Sequence, residues 1–185
     1  NLGCLKVNDG GMTAILYKSE IANFTRLTSE FNSHVAVHYE QLRASQKSYH
    51  AIVHAQPIYL TFLSHIPRYQ DFQYLNSHLF RWQPETILNL PEGIGFIPFL
   101  VPGSTQLMYK NVEILRDHKM VIWAKHGVMA RSDHSIAHVI DLIEYAEAAA
   151  HYEYLNLCAA DSGHGLSVDE IREICDANHI QQKIF

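Results

Sequence analysis

Apolar and polar positions alternate weakly over residues 1–17. Leu2, Cys4, Leu5 and Val7 lie before Asn8-Asp9-Gly10-Gly11, and the run from Met12 to Tyr17 follows it. Asn-Asp-Gly-Gly between two apolar runs is hairpin chemistry, because tight turns of this kind need residues that tolerate positive φ. The run Phe31 to Arg43 is expected to be helical, opened by Thr28 or Ser29 as cap, with the Glu30 carboxylate near the helix start. Ala51-Ile52-Val53 predicts a short buried strand that Pro57 ends, and His54 and Gln56 leave it on one side because residues two apart share a face. Ile58 to Ser64 reads as a short helix and His65-Ile-Pro-Arg68 as a turn, since a residue before proline is pushed out of the α region. Residues 69–84 are aromatic-rich and give no clear period, and Ile87-Leu88 reads as a short strand.

Leu90 to Gly103 is punctuated so closely by proline and glycine that it predicts a structured loop holding one brief strand. A helix follows from Ser104 to near Asp117, then a strand Met120 to Trp123, a turn at His126-Gly127 and a second strand Val128-Met-Ala130. Ser132-Asp133 is read as the cap of a long helix from His134 to near Leu157. Ile136, Val139, Ile140, Ile143, Ala146, Ala149 and Ala150 give its amphipathic period. Ser162-Gly-His-Gly165 is a linker, and Ser167 with Glu170 has capping-box spacing ahead of a last helix. Short strands alternating with helices, with no repeat and no second composition, predict a single α/β domain.

Composition narrows the class. At 185 residues, 48% hydrophobic and 18% charged, the chain has the makeup of one globular domain. A net charge of −5 argues against a nucleic-acid surface. No apolar run is long enough to span a bilayer, and the first residues lack the basic start and apolar centre of a signal peptide. Cys4, Cys158 and Cys175 are odd in number and far apart, which fits reduced thiols in a cytoplasmic protein better than a disulfide framework. A chain that opens inside a hairpin strand, on asparagine rather than methionine, is expected to have further sequence ahead of it.

The chemistry sits at two strand ends. His54 follows one apolar strand, His126 follows another at a glycine turn, and two such ends can converge on one ion. Zinc accepts imidazole and carboxylate donors and, in catalytic sites, keeps a position open. Glu30, His34 and His38, spaced by four, share one helical face, so Glu30 is either part of a polar stripe or a base oriented by an imidazole. His134 and His138 have the same spacing but no strand-end turn beside them, and read as a solvated helix face. An ion that polarises a carbonyl, with a carboxylate base beside it, is the equipment for forming an enediolate.

Four segments resemble the class II aldolase/adducin family, and within it the branch acting on rhamnulose 1-phosphate: Leu27-Thr-Ser-Glu-Phe-Asn-Ser-His34, Ile52-Val-His-Ala-Gln56, Leu90 to Gly103 and Trp123-Ala-Lys-His-Gly-Val128. The Pro/Gly-rich segment is the most specific of the four. The resemblance runs almost end to end and implies a three-layer α/β/α fold around a mostly antiparallel sheet. It implies a cytoplasmic homotetramer with sites between subunits, contacting neither nucleic acid nor membrane. It also implies a zinc enzyme, one ion per subunit, that reversibly cleaves L-rhamnulose 1-phosphate to dihydroxyacetone phosphate and L-lactaldehyde in L-rhamnose breakdown. By matching position, Glu30 is the proton-transferring glutamate, Glu85 an acid that reaches a neighbouring subunit's site, and His54 and His126 two of the three metal ligands. The third ligand position, a histidine in the family, holds Gln56 here. Its neutral oxygen has similar reach but is a harder, weaker donor for zinc, so weaker binding or another divalent ion is expected, with Glu30 or His34 as further donors. The family's phosphate-binding loops precede the part that Asn1 matches, so residues 1–185 are expected to form one such domain without that N-terminal segment. Two other readings stay open: a sibling aldolase or epimerase acting on fuculose or ribulose phosphate, and an inactive adducin-like assembly module. Gln56 favours the module; Glu30, His54 and His126 together argue against it.

Overall fold

A computed structural model describes residues 3–7, 13–18, 20, 27–45 and 48–185. The first two strands, β1 (Gly3–Val7) and β2 (Thr13–Lys18), pair antiparallel with a register shift between Cys4 and Leu5, as the hairpin pattern predicts. The turn residues themselves lie outside the described residues.

Helix α1 (Phe31–Ser45) follows. Neither expected hydroxyl caps its interior amides: Thr28 Oγ1 accepts from the Glu30 amide at 3.3 Å, and Ser29 Oγ donates to the Glu30 carboxylate at 3.2 Å. Next come β3 (Ala51–Ala55), α2 (Ile58–Leu63), a 3₁₀ turn over Pro67–Gln70, α3 (Phe72–Leu79) and α4 (Pro84–Asn89). The aromatic-rich stretch therefore holds a helix, α3, started by the Asp71 carboxylate accepting from the Tyr74 amide at 2.8 Å. Ile87 and Leu88 are helical rather than extended. Pro84 at the first helical position needs no amide partner and Glu85 suits the positive helix end, signals that outweigh an apolar pair too short to show a period.

The rest runs β4 (Gly95–Ile97), α5 (Thr105–Ile114), β5 (Met120–Trp123), β6 (Gly127–Ser132), α6 (Ile136–Cys158) and α7 (Val168–Ala177). Ser104 caps α5, and Ser167 and Glu170 form the capping box of α7. Helix α6 begins two residues later than expected. Ser135 is its cap, and Ser132 Oγ instead accepts from the His134 amide and meets His138 Nδ1.

Four strands form one sheet in the order β3-β6-β5-β4, antiparallel except for the parallel β5–β4 pair. Alternation along the strands divides the core in two. Ala51, Met120, Ile122, Val128 and Ala130 pack toward α2, α6 and their neighbours, while Ile52, Val121, Trp123 and Met129 pack toward α1 and α5. Because both faces are covered, Met120 to Trp123 is a continuous buried run. The result is the expected three layers, with α/β/α order about a mostly antiparallel sheet.

Two carboxylates of α6 fix what surrounds the sheet. Glu147 accepts from the Tyr59 and Leu60 amides at 2.8 and 2.9 Å, satisfying the start of α2, whose own cap position is Pro57. Glu153, almost fully buried, accepts from Tyr69 Oη, Arg81 Nη2 and Trp82 Nε1. Among the described residues no helix is long and apolar enough to cross a membrane.

Candidate active site

His54 stands on the α1/α5 side of the sheet, the side of Ile52. Its Nδ1 lies 2.8 Å from the Val128 carbonyl oxygen, which only accepts, so Nδ1 carries the proton and the Nε2 lone pair is free. The ring stacks on the Trp123 indole, centroids 4.4 Å apart and planes 23° apart. His126 sits in the β5–β6 turn. Its amide donates to the Trp123 carbonyl at 3.0 Å, and Lys125 before it takes a φ of 64°. The turn is pinned from both sides: the Ala124 amide donates to the Ile97 carbonyl at 2.9 Å, and the Lys125 amide to Ser64 Oγ at 2.8 Å. The two imidazoles come within 5.0 Å, centroid to centroid, at 75°. His126 Nδ1 is buried with no hydrogen-bond partner.

Gly127 makes this convergence possible. A Cβ there would lie 2.4 Å from the Ala55 carbonyl oxygen and 3.2 Å from Gln56 Cγ. The end of β3 thus closes on the turn only because no side chain intervenes, and Gln56 is placed next to the residue that follows His126.

Glu30 enters from the start of α1. It is only 2% exposed. One carboxylate oxygen accepts from Ser29 Oγ and the other from the Gly103 amide at 3.1 Å. Asn32 Nδ2 donates back to the Gly103 carbonyl at 2.9 Å, so the Pro/Gly-rich loop and the start of α1 hold each other. Gly103 has φ of 72°, and a Cβ there would press on the Ser29 carbonyl at 2.7 Å. The Glu30 charge reaches both His54 and His34. Burial lowers the His54 pKa, the Val128 hydrogen bond opposes this, His126 lowers it further and Glu30 raises it. Burial, with the nearby His38 and His54, pushes His34 down to about 4 against the pull of Glu30. Neutral imidazole is the form that binds a metal.

Glu30, His54, Gln56 and His126 are therefore neighbours at one end of the sheet. Glu85 is not brought to them. It lies exposed in the first turn of α4, whose packing partners are α6 and α7. His134 and His138 lie beyond Ser132, at the opposite end of β6 from the Val128 that holds His54. An open cavity of about 590 Å³ runs along α1 past Thr28, His34 and His38, and its other linings among the described residues are mostly apolar. Sequence reasoning missed His50, whose Nδ1 lies 2.9 Å from that of His38. The signal was the period-two series His50, Ile52, His54. It also missed Trp123, which read as an ordinary strand position, and Asn111, a lone amide within a helix.

Among the described residues no three His, Cys, Asp or Glu side chains gather as a metal-holding group. Two imidazoles gather, and Gln56 lies beside Gly127, the residue after His126. These groups fit a divalent cation of the zinc type: a free Nε2 on His54, an unpartnered buried Nδ1 on His126 and a carboxylate within electrostatic reach of His54.

The comparisons with known proteins converge on one group. A rhamnulose-1-phosphate aldolase of Bacteroides thetaiotaomicron is 31% identical over 150 residues, 80% of this chain and 54% of that enzyme. One from Escherichia coli O81 is 28% identical over 151 residues, 81% of this chain and again 54% of that enzyme. The chain thus spans about half the length of the curated relatives it matches. Among solved structures, a sugar-phosphate aldolase from Thermotoga maritima superposes with a TM-score of 0.65 at 30% identity, over 80% of this chain and 59% of that one. An L-fuculose 1-phosphate aldolase shares the fold, with a TM-score of 0.58 at 15% identity over 95% of this chain and 72% of that one. Residues 5–154 match the family described as the class II aldolase and adducin N-terminal domain, and with the three-layer fold and the site built on β3, α1 and the β5–β6 turn, the chain belongs to that family.

Proposed function

We propose that this chain carries the metal and proton-transfer half of a zinc-dependent aldolase that reversibly cleaves L-rhamnulose 1-phosphate to dihydroxyacetone phosphate and L-lactaldehyde. The observation that carries the reading is the approach of two imidazoles, His54 and His126, beside the buried carboxylate of Glu30. His54, His126 and Gln56 would hold the ion, which when bound polarises the ketose carbonyl and offsets negative charge that develops next to it.

The chain's own residues supply the rest. Val128 fixes the His54 tautomer through Nδ1. Ser29 and Gly103 hold the Glu30 carboxylate in place until one oxygen is released to work. Glu30 then moves the proton that cleavage must return to the carbon left by the broken bond. Glu85, on an exposed helix start, is kept as an acid for a neighbouring subunit of a homotetramer. Residues 1–185 act as one class II aldolase-like domain.

Two other readings have a specific observation behind them. The likeness to a sugar-phosphate aldolase at 30% identity supports a related sugar phosphate, such as fuculose phosphate, as substrate. Gln56 in place of a histidine supports an assembly module without chemistry. The Glu30→Gln variant separates these from the main reading. Release of dihydroxyacetone phosphate from L-rhamnulose 1-phosphate, followed by coupled reduction, should fall by about 10²–10⁴-fold in kcat while zinc content is kept. Equal turnover in variant and wild type removes Glu30 from the chemistry. Cleavage of fuculose but not rhamnulose phosphate moves the substrate to the sibling reading, and no cleavage of either by the metal-loaded wild type favours the assembly module.

A further inference from the structure

Behind the candidate site runs a chain of buried polar contacts through an otherwise apolar layer. Ser33 on α1 and Asn111 on α5 are fully buried, and Trp123 on β5 is 2% exposed. Asn111 Nδ2 donates to Ser33 Oγ at 3.2 Å, and Asn111 Oδ1 accepts from Trp123 Nε1 at 2.6 Å. Around them pack Val37, Leu107, Val121 and Met129, side chains that would fill the space without any polar partner. Buried polar atoms in such a setting are costly unless each is paired, and once paired they select one arrangement over others that pack equally well.

The arrangement selected here is that of the candidate site. The indole hydrogen bond fixes which way the Trp123 ring plane lies, and His54 stacks on that plane. His54 is then held on two independent axes, its edge by the Val128 carbonyl and its face by the indole. Ser33, at the other end of the chain, lies in the first turn of α1, three residues after Glu30. The same helix start is held from the other side by the Gly103 amide on Glu30 and by Asn32 on the Gly103 carbonyl. Helix α5 thus touches both halves of the site, through the loop before it and through Asn111 in its middle.

We propose that Asn111 and Trp123 are positioning residues: the Ser33–Asn111–Trp123 chain sets the plane of the His54 imidazole and its registry with the helix start that bears Glu30. The proposal rests on the reading of His54 as a metal donor only for its functional consequence; the positioning of the ring stands apart from it.

The test uses the full chain as wild type, Trp123→Phe, Asn111→Leu and the double variant. Three quantities are read: the His54 ring ¹⁵N signals of the metal-free protein, zinc affinity against a chromophoric chelator, and the thermal midpoint. Wild type should show a single Nδ1–H tautomer for His54. Trp123→Phe keeps a ring to stack on but loses the donor; it should give mixed His54 signals and about 10–100-fold weaker zinc binding. The double variant leaves neither the indole donor nor its acceptor alone, though Ser33 still loses its partner, so its thermal midpoint should fall by less than the sum of the single losses while zinc affinity stays weak. Unchanged His54 signals and zinc affinity in Trp123→Phe overturn the proposal, as does wild-type zinc affinity in the double variant. If wild type binds no zinc yet Trp123→Phe still disorders the His54 ring, the positioning claim holds and the metal reading falls.

Discussion

Gln56 is the residue on which the chemistry turns. It leaves β3 on the same side as His54, is exposed, and has its Cγ close to the bare backbone of Gly127. An amide oxygen there gives a divalent ion a neutral but hard donor, where imidazole would give nitrogen. Gln56→His is therefore expected to tighten zinc roughly tenfold, about 1.4 kcal/mol, measured by chelator competition. Affinity that is unchanged or lower places Gln56 outside the coordination sphere. Sequence reached this residue because a strand's period of two puts positions 54 and 56 on one side. It did not reach the reason the site closes, which is the 2.4 Å that a Gly127 side chain would have to share with the Ala55 carbonyl. Gly127 was legible as a turn, whereas its role as the gap between two strand ends is a tertiary fact.

At the scale of elements, the seam between α1 and β3 is lined with histidines from both sides: His34 and His38 from the helix, His50 and His54 from the strand and its approach. The helical spacing of four and the strand spacing of two are both written in the sequence, but that the two stripes face each other is not. His50, buried beside His38 and near the Arg131 charge, is pushed down from 6.5 to about 4. In the unfolded chain it takes up a proton near 6.5, in the folded chain only near 4, so between these values the unfolded state binds more protons. Its contribution to stability is complete above 6.5, is lost progressively as pH falls toward 4, and changes no further below that. Denaturation midpoints followed over this window should drop less steeply for His50→Gln than for wild type. Parallel curves would show that His50 titrates alike in both states. Ser167 with Glu170 reads correctly as a capping box and Ser104 as the start of α5, whereas Thr28 and Ser29 do not cap α1. Helix α4 was not legible, since six residues begun by a proline leave no periodicity to detect, and α6 started late because Ser132 had hydrogen-bond partners in His134 and His138 that the sequence does not display.

For the whole molecule, the alternation of strands with helices predicted an α/β domain, and the two core clusters on opposite sheet faces give it three layers. The family match extends over residues 5–154, and the site's elements all fall within it. The layers explain why the histidines face one way. Along β3 and β5 the odd and even positions are claimed by different helices, so His54 and its Trp123 support can only point toward α1 and α5, where Glu30 begins. The proposed zinc site therefore draws on three elements at once. The most direct measurement is the metal content of the purified, zinc-saturated and dialysed protein, wild type against His126→Ala. One equivalent of zinc per chain, lost in a His126→Ala variant that still folds, is the expected result. A wild type that retains no metal, or a His126→Ala variant that keeps its full equivalent, would contradict the site.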